Sequence, residues 1–486
     1  MFQTIKNTMP KDSDYPERQF RLSVLTRVLR GQLYDTLEHD FHEEKGENQE
    51  YIPLRKRRPS VRYGLCKLVV DDSVALLFSE GHFPKIDAGK EGETVRTQLT
   101  RLIKETSLNE IMIDAATRGS VGSVAILFRV LQNRVFFNVM DSDYLTPIWQ
   151  KDAPDTLEKV VEQYKVKGKA LKDLGYPVKD DDRTVDFWFR REWTGAEETW
   201  FDPLKVSDAK ENRVFVRDAV RSVTHNLGFV PVVWVKNLPG GDEIDGACTF
   251  PDEVIDTSIE IDYQLSQAGR GLKYSSDPTL LLKEPANSDG PMVRSASNAI
   301  VVDKEGDAKL LEINGSAVSA VIEYVRALRE MALETAHGNR SNADKVSAAQ
   351  SGRAMELMNA PLIRLADQLR ISYGEGALLS LLNMVVAASK KLPLIFKDGT
   401  KLGSLETKAP IALRWAAWFP PTAEDLVQMA TALKGMIDAG ILSRQTAIKM
   451  IAAAFDIEDT EAEFKLAEAE RLEREAGAEK QVKITE

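Results

Sequence analysis

The hydrophobic and polar positions between residues 251 and 392 follow a helical period with one β-like interruption. Two helices are predicted, over 251–274 and 316–337, each with one apolar stripe. The stripes consist of Val254, Ile261, Leu265, Ala268 and Leu272, and of Val318, Val321, Ile322, Val325, Leu328 and Ala332. Short strands are predicted between the helices, at 279–283, 299–303 and 309–313, with a turn at 304–307. This arrangement predicts a projection that another molecule docks on or surrounds.

A third helical pattern, over 348–389, is unusually long for a single soluble domain. Its roughly 42 residues would span about 60 Å if the helix were straight. Pro361 lacks a backbone donor and clashes with the preceding turn, so a kink is predicted near residues 359–360. The polar run 338–347 before it is predicted to be a loop. Helices of this length suit subunits of a ring around a channel.

The remaining chain alternates between helical and strand patterns. Helices are predicted over 17–44, 61–79 and 95–119, followed by a hairpin over 124–140 that turns at Gln132 and Asn133. Further strands are predicted at 145–149, 160–166, 184–193, 199–201, 213–216 and 230–235. Residues 1–247 are therefore predicted to form an α+β domain, with a flexible hinge at 239–246.

The C-terminal part is predicted to return to that domain and then to become helical. Strands are predicted at 393–396 and 411–418, and a capping-box-like start at 422–425 precedes helices over 423–439 and 443–455. A charged helix follows from residue 461. The segment 456–486 contains 11 acidic and 5 basic residues, a net charge of −6, and its last ten residues are expected to fray.

Composition limits the possible functions. The 486 residues suffice for two to four domains, and 43% apolar with 29% charged residues is typical of a soluble globular protein. The net charge of −11 (64 − 75) argues against a protein whose main task is to grip nucleic acid. It is compatible with a protein through which DNA slides.

The chain shows no membrane or export signal, and its two cysteines are predicted to be reduced. The longest apolar run, 377–388, is too short to cross a bilayer. Residues 1–9 lack the apolar core of a signal peptide. Cys66 and Cys248 lie in or beside apolar segments, which favours buried thiols over a disulfide.

Candidate catalytic chemistry is sparse. The sequence contains no phosphate-binding Gly-rich loop ending in Lys-Ser/Thr, no Gly-x-Ser-x-Gly and no His-Glu-x-x-His. His39 and His42 are predicted to share a helix face, but without a third ligand nearby a solvated face is favoured over a metal site. The carboxylates at 180–182 are likewise predicted to be solvated. Strand tryptophans at positions 188, 193, 200 and 234 are predicted to be core or interface residues rather than base-stacking platforms.

A dense positive segment spans residues 54–59 and continues to Arg62. It contains Arg55, Lys56, Arg57 and Arg58. Three interpretations remain open: contact with DNA, pairing with an acidic neighbouring subunit, or a solvated loop.

Four fragments, in this order along the chain, give a resemblance to a known family. They are Val-Val-Asp-Asp-Ser-Val-Ala-Leu-Leu-Phe at 69–78, Ala-Ala-Thr-Arg-Gly-Ser-Val-Gly at 115–122, His-Asn-Leu-Gly-Phe-Val-Pro-Val-Val at 225–233 and Gln-Ser-Gly-Arg-Ala-Met at 350–355. With the order of predicted elements, they make the chain resemble the portal proteins of tailed bacteriophages over nearly its whole length.

The resemblance implies an α+β subunit with named parts. Residues 1–247 and 393–419 would form an α/β wing, and 251–274 and 316–337 would be the stem helices. Residues 275–315 would be a small α/β clip, 338–347 a tunnel loop, 348–392 the long kinked helix and 422–486 a helical crown with an acidic tail.

The resemblance also implies candidate site residues. The tunnel loop would present Asn339, Arg340, Ser341, Asn342, Asp344 and Lys345 to DNA. The stem wall would include Asp256, Glu260, Arg270 and Lys273, and the clip would dock partners through Lys283, Arg294, Lys304 and Lys309. Because Asp252, Glu253 and Asp262 add further acids to the first stem helix, its wall would repel phosphate. Arg340 and Lys345 would touch DNA without reading its sequence, or pair with acids of the next subunit.

The implied function is a structural one, with no catalytic residue, metal or cofactor. A ring of about twelve copies at one capsid vertex would conduct double-stranded DNA during packaging and ejection. It would dock the terminase large subunit and then a head-completion or adaptor protein, and contact major capsid and scaffolding proteins but no membrane. The ring would assemble in the host cytoplasm and reside in the virion. The alternatives are a capsid-associated scaffold without a channel and a metal-dependent hydrolase; subunit number separates them.

Overall fold

The computed structural model describes residues 1–89, 92–211, 213–276, 279–285, 302–311, 316–338, 356–357, 359–406, 409–418, 423–452, 455, 457 and 459–485. For 274–276, 279–282, 284–285, 302–311, 316–317 and 475–485 it describes the backbone only. The chain forms two compact units. Unit 1 comprises Met1–Val70 and Thr249–Ala336, and unit 2 comprises Asp71–Cys248 and His337–Glu486.

The helices within the described ranges are labelled in chain order. They are α1 Phe2–Lys6, α2 Glu17–Leu29, α3 Leu65–Phe78, α4 Glu93–Thr106, α5 Leu108–Gly119, α6 Gly168–Asp173, α7 Val206–Lys210, α8 Asp252–Ser276, α9 Ser316–Thr335, α10 Ala360–Ser389, α11 Ala423–Asp438, α12 Arg444–Ile451 and α13 Thr460–Thr485.

The strands are labelled in the same way. They are β1 His39–Asp40, β2 Arg57–Arg58, β3 Lys85–Asp87, β4 Ser123–Leu131, β5 Arg134–Asp141, β6 Leu145–Trp149, β7 Leu157–Lys167, β8 Asp186–Thr194, β9 Glu197–Phe201, β10 Leu204–Lys205, β11 Arg217–Thr224, β12 Val232–Lys236, β13 Thr279–Pro285, β14 Val302–Leu311 and β15 Ala412–Arg414.

Unit 2 contains two larger sheets and one strand pair. One sheet is antiparallel and has the strand order β11-β9-β8-β7-β6, and β10 also pairs with β8. The other sheet has the strand order β12-β4-β5. Strands β15 and β3 form the separate pair. Trp193 is fully buried in a cluster with Leu145, Val160 and Val232. The predicted α+β class is therefore confirmed for this part of the chain, and Trp193 and Trp188 are core residues as predicted.

Unit 1 joins the N-terminal segment to the helix pair. Phe2, Ile5 and Leu22 are buried, as are Val254 and Ile259 of α8. In this structure the first 70 residues of the predicted domain 1–247 belong to the compact unit of α8 and α9. Sequence periodicity shows which face of a helix is apolar, but not which distant segment covers it.

Two predicted helices are shorter than their patterns suggested. Helix α2 ends at Leu29 rather than near residue 44, because Gly31 adopts a left-handed backbone with φ +69°. His39 then lies on the short strand β1, so it shares no helix face with His42. The predicted helix 95–119 is two helices, because Ser107 breaks it with φ +50°.

The predicted hairpin at 124–140 is confirmed, whereas several short strands are displaced. Gln132 and Asn133 both have positive φ, 50° and 62°, as a two-residue hairpin turn requires. A strand predicted at 213–216 instead starts at Arg217, and 393–396 contributes only a bridge through Ile395. The strand predicted at 411–418 is limited to β15.

The predicted small α/β insert is, in its described residues, a two-stranded antiparallel ladder. Thr279 lies opposite Leu311 and Pro285 lies opposite Val302. The turn predicted at 304–307 is wrong, because these residues lie inside β14. The intervening sequence, 286–301, lies outside the described residues.

The predicted kinked helix is interrupted next to Pro361 and contains a second irregularity. Residues 356–357 are helical, Asn359 is a turn residue, and a helix begins at Ala360 with Pro361 in its first turn, where its missing N–H needs no partner. The kink itself stays a prediction. The segment Arg370–Leu378 within α10 is a π-helix. The hydrophobic pattern of the sequence did not predict this π-helical segment.

Helix α10 is also the one described helix long and apolar enough to cross a membrane by length and composition. Its residues Leu365, Tyr373 and Leu381 are buried inside the protein. They form a core face.

The C-terminal helices agree with prediction in number. Helix α12 begins after Ser443, whose hydroxyl accepts the Thr446 N–H at 3.2 Å. It ends at Ile451, earlier than the predicted residue 455. Helix α13 runs to Thr485, whereas the last ten residues were expected to fray. The predicted cap at Thr422 is outside the described residues.

Candidate functional site

Helix α8 is the element around which unit 1 is built. Val254, Ile255 and Ile259 face the interior and are fully buried. The opposite side of its first turn carries the exposed acids Asp252 and Glu253. Helix α9 packs along α8, and the β13–β14 ladder lies between them in sequence. The predicted arrangement of two paired helices with a β-insert is confirmed.

A buried carboxylate fastens α8 to the N-terminal segment. Asp262, only 4% exposed, accepts the Tyr34 hydroxyl at 2.7 Å and the Tyr63 N–H at 2.6 Å. One turn later the Ser266 hydroxyl accepts the Val61 N–H at 3.0 Å. Burial raises the pKa of Asp262, although both donors and Arg62 oppose the increase. Asp262 was predicted to add to an exposed acidic wall; its burial shows instead that it holds two segments together.

The positive segment at 54–59 is divided between burial and exposure. Arg57 is 1% exposed and donates to the carbonyls of Ile52 at 2.9 Å and Phe41 at 3.3 Å, while its own carbonyl accepts the Tyr263 hydroxyl at 2.7 Å. Arg58 pairs with Asp40 at 2.7 Å.

Two cations of that segment remain outside these contacts. Arg55 and Lys56 are exposed, and no described residue pairs with either. Among the cations at 54–59, these two side chains are therefore the most open to DNA or to a neighbouring acid.

Two of the four predicted wall residues form ion pairs inside the chain. Asp256 accepts the Met1 ammonium at 2.8 Å and the Phe2 N–H at 2.7 Å. Burial alone would raise the pKa of Asp256, but these two donors lower it overall. Arg270 forms an ion pair with Glu44.

The other two wall residues keep more freedom. Glu260 is half-buried and accepts a hydrogen bond from Gln264 at 2.7 Å. Lys273 is exposed.

The predicted docking and loop residues are placed only in part. Lys283 is exposed on β13, opposite Asp307 in the backbone register. Lys304 and Lys309 lie on β14. Arg294 and all six predicted tunnel-loop residues lie outside the described residues: Asn339, Arg340, Ser341, Asn342, Asp344 and Lys345. Their proximity to DNA stays a prediction.

Two stem residues depart from their predicted stripes. Leu272 is 48% exposed and Ile322 is 43% exposed, whereas both were expected to face inward. Tyr324 and Met331 of α9 are also exposed. Helix α9 therefore presents an apolar surface that α8 does not cover.

The histidine of the 225–233 fragment shapes a loop in unit 2. The Leu227 N–H donates to His225 Nδ1 at 3.2 Å, so the ring is neutral and its Nε2–H faces the Thr194 carbonyl at 3.2 Å. Burial lowers the pKa of His225. His225 therefore has a structural role in this loop. The other fragment, 350–355, lies outside the described residues.

The predicted hinge at 239–246 is a hydrogen-bonded loop. The Asp242 carboxylate accepts the N–H groups of Ile244 and Asp245 at 2.9 and 2.6 Å. Asp245 is 1% exposed and accepts the Ser123 hydroxyl at 2.5 Å. The segment is thus more ordered than predicted.

Metal and thiol chemistry finds no support in the described part of the chain. No group of three or more potential metal ligands occurs there. Asp180 pairs with Lys172 and Arg183, and Asp182 pairs with Lys205, at 2.5 to 2.8 Å. Neither Cys66 nor Cys248 forms a disulfide within the described residues; Cys66 is buried, as predicted, whereas Cys248 is half-buried.

The residues that sequence reasoning missed are those holding α8 from a distance. Tyr34 and Tyr63 precede Asp262 by 228 and 199 positions. The spacing of residues within one segment does not predict contacts with a segment that is distant in sequence. The only signal was an aspartate among apolar neighbours in the middle of α8, where an unpaired charge would be costly.

The described geometry is that of paired helices with a β-insert, and no group of three or more potential metal ligands occurs among the described residues. The chain belongs to the phage portal protein family, because the family model for SPP1 Gp6-like portal proteins matches residues 12–481. No curated protein matches it.

Two solved structures show distant similarity. One is described as the neck of an empty gene transfer agent (GTA) particle computed with C6 symmetry, with 11% identity, a TM-score of 0.39, and 80% of this chain and 88% of that chain covered. The other is described as the virion of a native GTA particle, with 14% identity, a TM-score of 0.36 and the same coverage.

Proposed function

We propose that copies of this chain form a closed ring at one capsid vertex, through which double-stranded DNA enters and leaves the particle. Family membership over residues 12–481 is the observation that carries this proposal. The paired helices α8 and α9 would form the stem of each subunit. The family implies about twelve copies in the ring.

The exposed side chains of α8 suit a conduit. Asp252 and Glu253 are solvent-exposed acids near its start, and Lys273 is an exposed cation near its end. Acidic surfaces repel phosphate, and isolated cations give weak contacts that salt disrupts readily. Such a wall would let DNA of any sequence move.

The uncovered surface of α9 suits assembly. Ile322, Tyr324 and Met331 are exposed on one helix. In a ring, each subunit meets two neighbours through different surfaces, so a helix that is half-covered in one chain can be fully covered in the assembly. The β13–β14 insert would dock the terminase large subunit and later a head-completion or adaptor protein. The ring would reside in the virion and act without catalysis.

Native mass spectrometry with negative-stain imaging of the purified protein tests the proposal. A closed ring of about twelve copies with a central hole is the expected result. Should the protein remain monomeric, co-expression with its major capsid and scaffolding proteins is the second arm, and incorporation at a single vertex is expected. A defined dimer or tetramer without a hole, or incorporation throughout the shell, would contradict the proposal. The latter would favour a scaffold.

A further inference from the structure

The buried positions in the middle of α10 recur every four residues. Leu369, Tyr373, Ala377, Leu381 and Val385 are each 2% exposed or less. An α-helix turns about 100° per residue, so about sixteen residues of α-helix would leave the last of these positions about 160° away from the first. One buried face with this spacing requires wider turns. The π-helical segment Arg370–Leu378 provides them, since its hydrogen bonds span five residues rather than four.

Asn237 is the polar centre against which this segment packs. It is fully buried. Its Oδ1 accepts the Tyr373 hydroxyl at 3.0 Å, and its backbone carbonyl accepts the Ser372 hydroxyl at 2.7 Å. Its Nδ2 donates to the carbonyls of Ser120 at 3.3 Å and Ala247 at 2.8 Å. One side chain therefore joins the π-helical segment, the turn after α5 and the chain leading to α8.

Two glycines let the surrounding backbone approach the segment closely. A Cβ atom on Gly119 would lie 2.1 Å from the Tyr373 hydroxyl, and one on Gly374 would lie 2.3 Å from the Trp415 ring. The Arg370 guanidinium lies over the same Trp415 ring, 4.6 Å from its centre. The wide turns are held from two sides, which is what an intrinsically unfavourable helix type needs to persist.

We propose that Asn237 is a positioning residue that fixes the register of the π-helical segment and couples it to the connector 244–250. When its contacts to Tyr373 and Ser372 are lost, the segment can return toward α-helix, and each residue of register lost rotates 360–369 by about 100° relative to 379–389. Ala247 loses its fixed donor in the same event, because that donor is Nδ2 of the same side chain. This coupling does not depend on the ring or on DNA.

Hydrogen–deuterium exchange of the full chain carrying Tyr373→Phe tests the coupling. The variant removes one hydroxyl and keeps the buried ring. Because a hydrogen bond contributes about 0.5–1.5 kcal/mol, we expect exchange about two- to tenfold faster in peptides covering 370–378 and also in those covering 244–250. Tyr164→Phe is the matched control: this half-buried tyrosine packs on Phe189 of the six-stranded sheet, and both regions should keep their wild-type exchange.

Ser372→Ala is the second variant, since it removes a hydroxyl from a half-buried position and leaves the core unchanged. It should produce the same two-region pattern with smaller amplitude. Faster exchange confined to 370–378, with 244–250 unchanged, would overturn the proposal. So would a uniform increase that includes β7 and β8, because that pattern reports a general loss of stability rather than coupling through Asn237.

Discussion

Large apolar side chains are buried in the six-stranded sheet of unit 2 but mostly exposed on the three C-terminal helices of the same unit. In and around the sheet, Trp193, Val160 and Leu145 are at most 1% exposed. In the described parts of α11, α12 and α13, the buried apolar residues are Leu433 and Ala447. Large apolar side chains there are exposed instead: Val427, Met429, Met436, Met450, Leu466 and Leu472.

This difference shows which parts of the chain bury their apolar side chains without a second copy. Helices obtain most of their stability from packing an apolar face, not from intrinsic propensity. The sheet has that packing within one chain, whereas α11–α13 largely lack it. Under the proposed function, neighbouring copies supply it. The C-terminal helices would then depend on assembly, and the sheet would not.

The largest expected effect comes from the centre of the sheet. Trp193→Ala should lower the free energy of unfolding by about 3–5 kcal/mol, because it leaves a cavity that the sheet cannot close. Urea denaturation of the unassembled protein, followed by circular dichroism, measures this loss. An effect below about 1 kcal/mol would mean that the residue is less enclosed than its zero exposure indicates.

Leu472→Asp is the matched change in the C-terminal helices. Leu472 is 57% exposed, so the substitution should change the free energy of unfolding by less than about 0.5 kcal/mol. In the proposed ring it should reduce the assembled fraction seen by native mass spectrometry. Equal effects of Leu472→Asp and Trp193→Ala on the unassembled chain would remove the contrast between the two regions.

The next effect is expected at Asp262, a buried polar residue of unit 1. Asp262→Ala should lower the free energy of unfolding by about 2–3 kcal/mol, because it leaves the Tyr34 hydroxyl and the Tyr63 N–H without their acceptor. Asp262→Asn keeps an acceptor and should cost much less. Thermal unfolding of both variants measures the difference. Similar losses would show that the charge, rather than the hydrogen bonds, is required.

These contacts also mark what the sequence could and could not predict. The helix pair, the β-insert and the hairpin at Gln132-Asn133 follow from local periodicity and turn chemistry, and the structure confirms them. The docking of residues 1–70 on α8 does not, because Tyr34 and Asp262 are 228 positions apart. The helix predicted to reach residue 44 failed for a local reason, the left-handed backbone at Gly31. A glycine inside a helical pattern carries that ambiguity.

A smaller difference in stability is expected between alanine substitutions at two glycines. Gly374→Ala should lower the free energy of unfolding by about 1–3 kcal/mol, since the new methyl group would meet the Trp415 ring at 2.3 Å. Gly435→Ala in α11 has nothing within 4 Å and should be neutral or stabilising by up to about 1 kcal/mol. Thermal melts of the two single variants compare them directly. A neutral Gly374→Ala would show that the π-helical segment yields easily.

The smallest expected effect is a pH dependence with a defined sign. The folded-state pKa of His225 is lowered, so its contribution to stability is present above the usual histidine pKa of about 6.5 and is lost as pH falls toward the lowered value. Asp262 acts in the opposite direction at lower pH. Its raised pKa gives a contribution that is present below the usual aspartate value of about 3.9 and is lost as pH rises through the raised pKa.

His225→Gln isolates the histidine effect. Denaturation midpoints measured between pH 5 and pH 8 should fall less steeply on the acid side in this variant than in the wild type. A variant profile that parallels the wild type would assign the acid sensitivity to other groups.

The spacing of buried residues in α10 has a consequence for chain length. Leu369 and Val385 are both buried, and the π-helical turns between them accommodate their separation. Removing one residue from this interval would either shorten the π-helical segment or misalign one half of the helix with its partners, whichever residue is removed. Replacing the exposed Ile371, Glu375 or Gly376 would not. Between Leu369 and Val385, then, the number of residues is specified more strictly than the identity of those facing solvent.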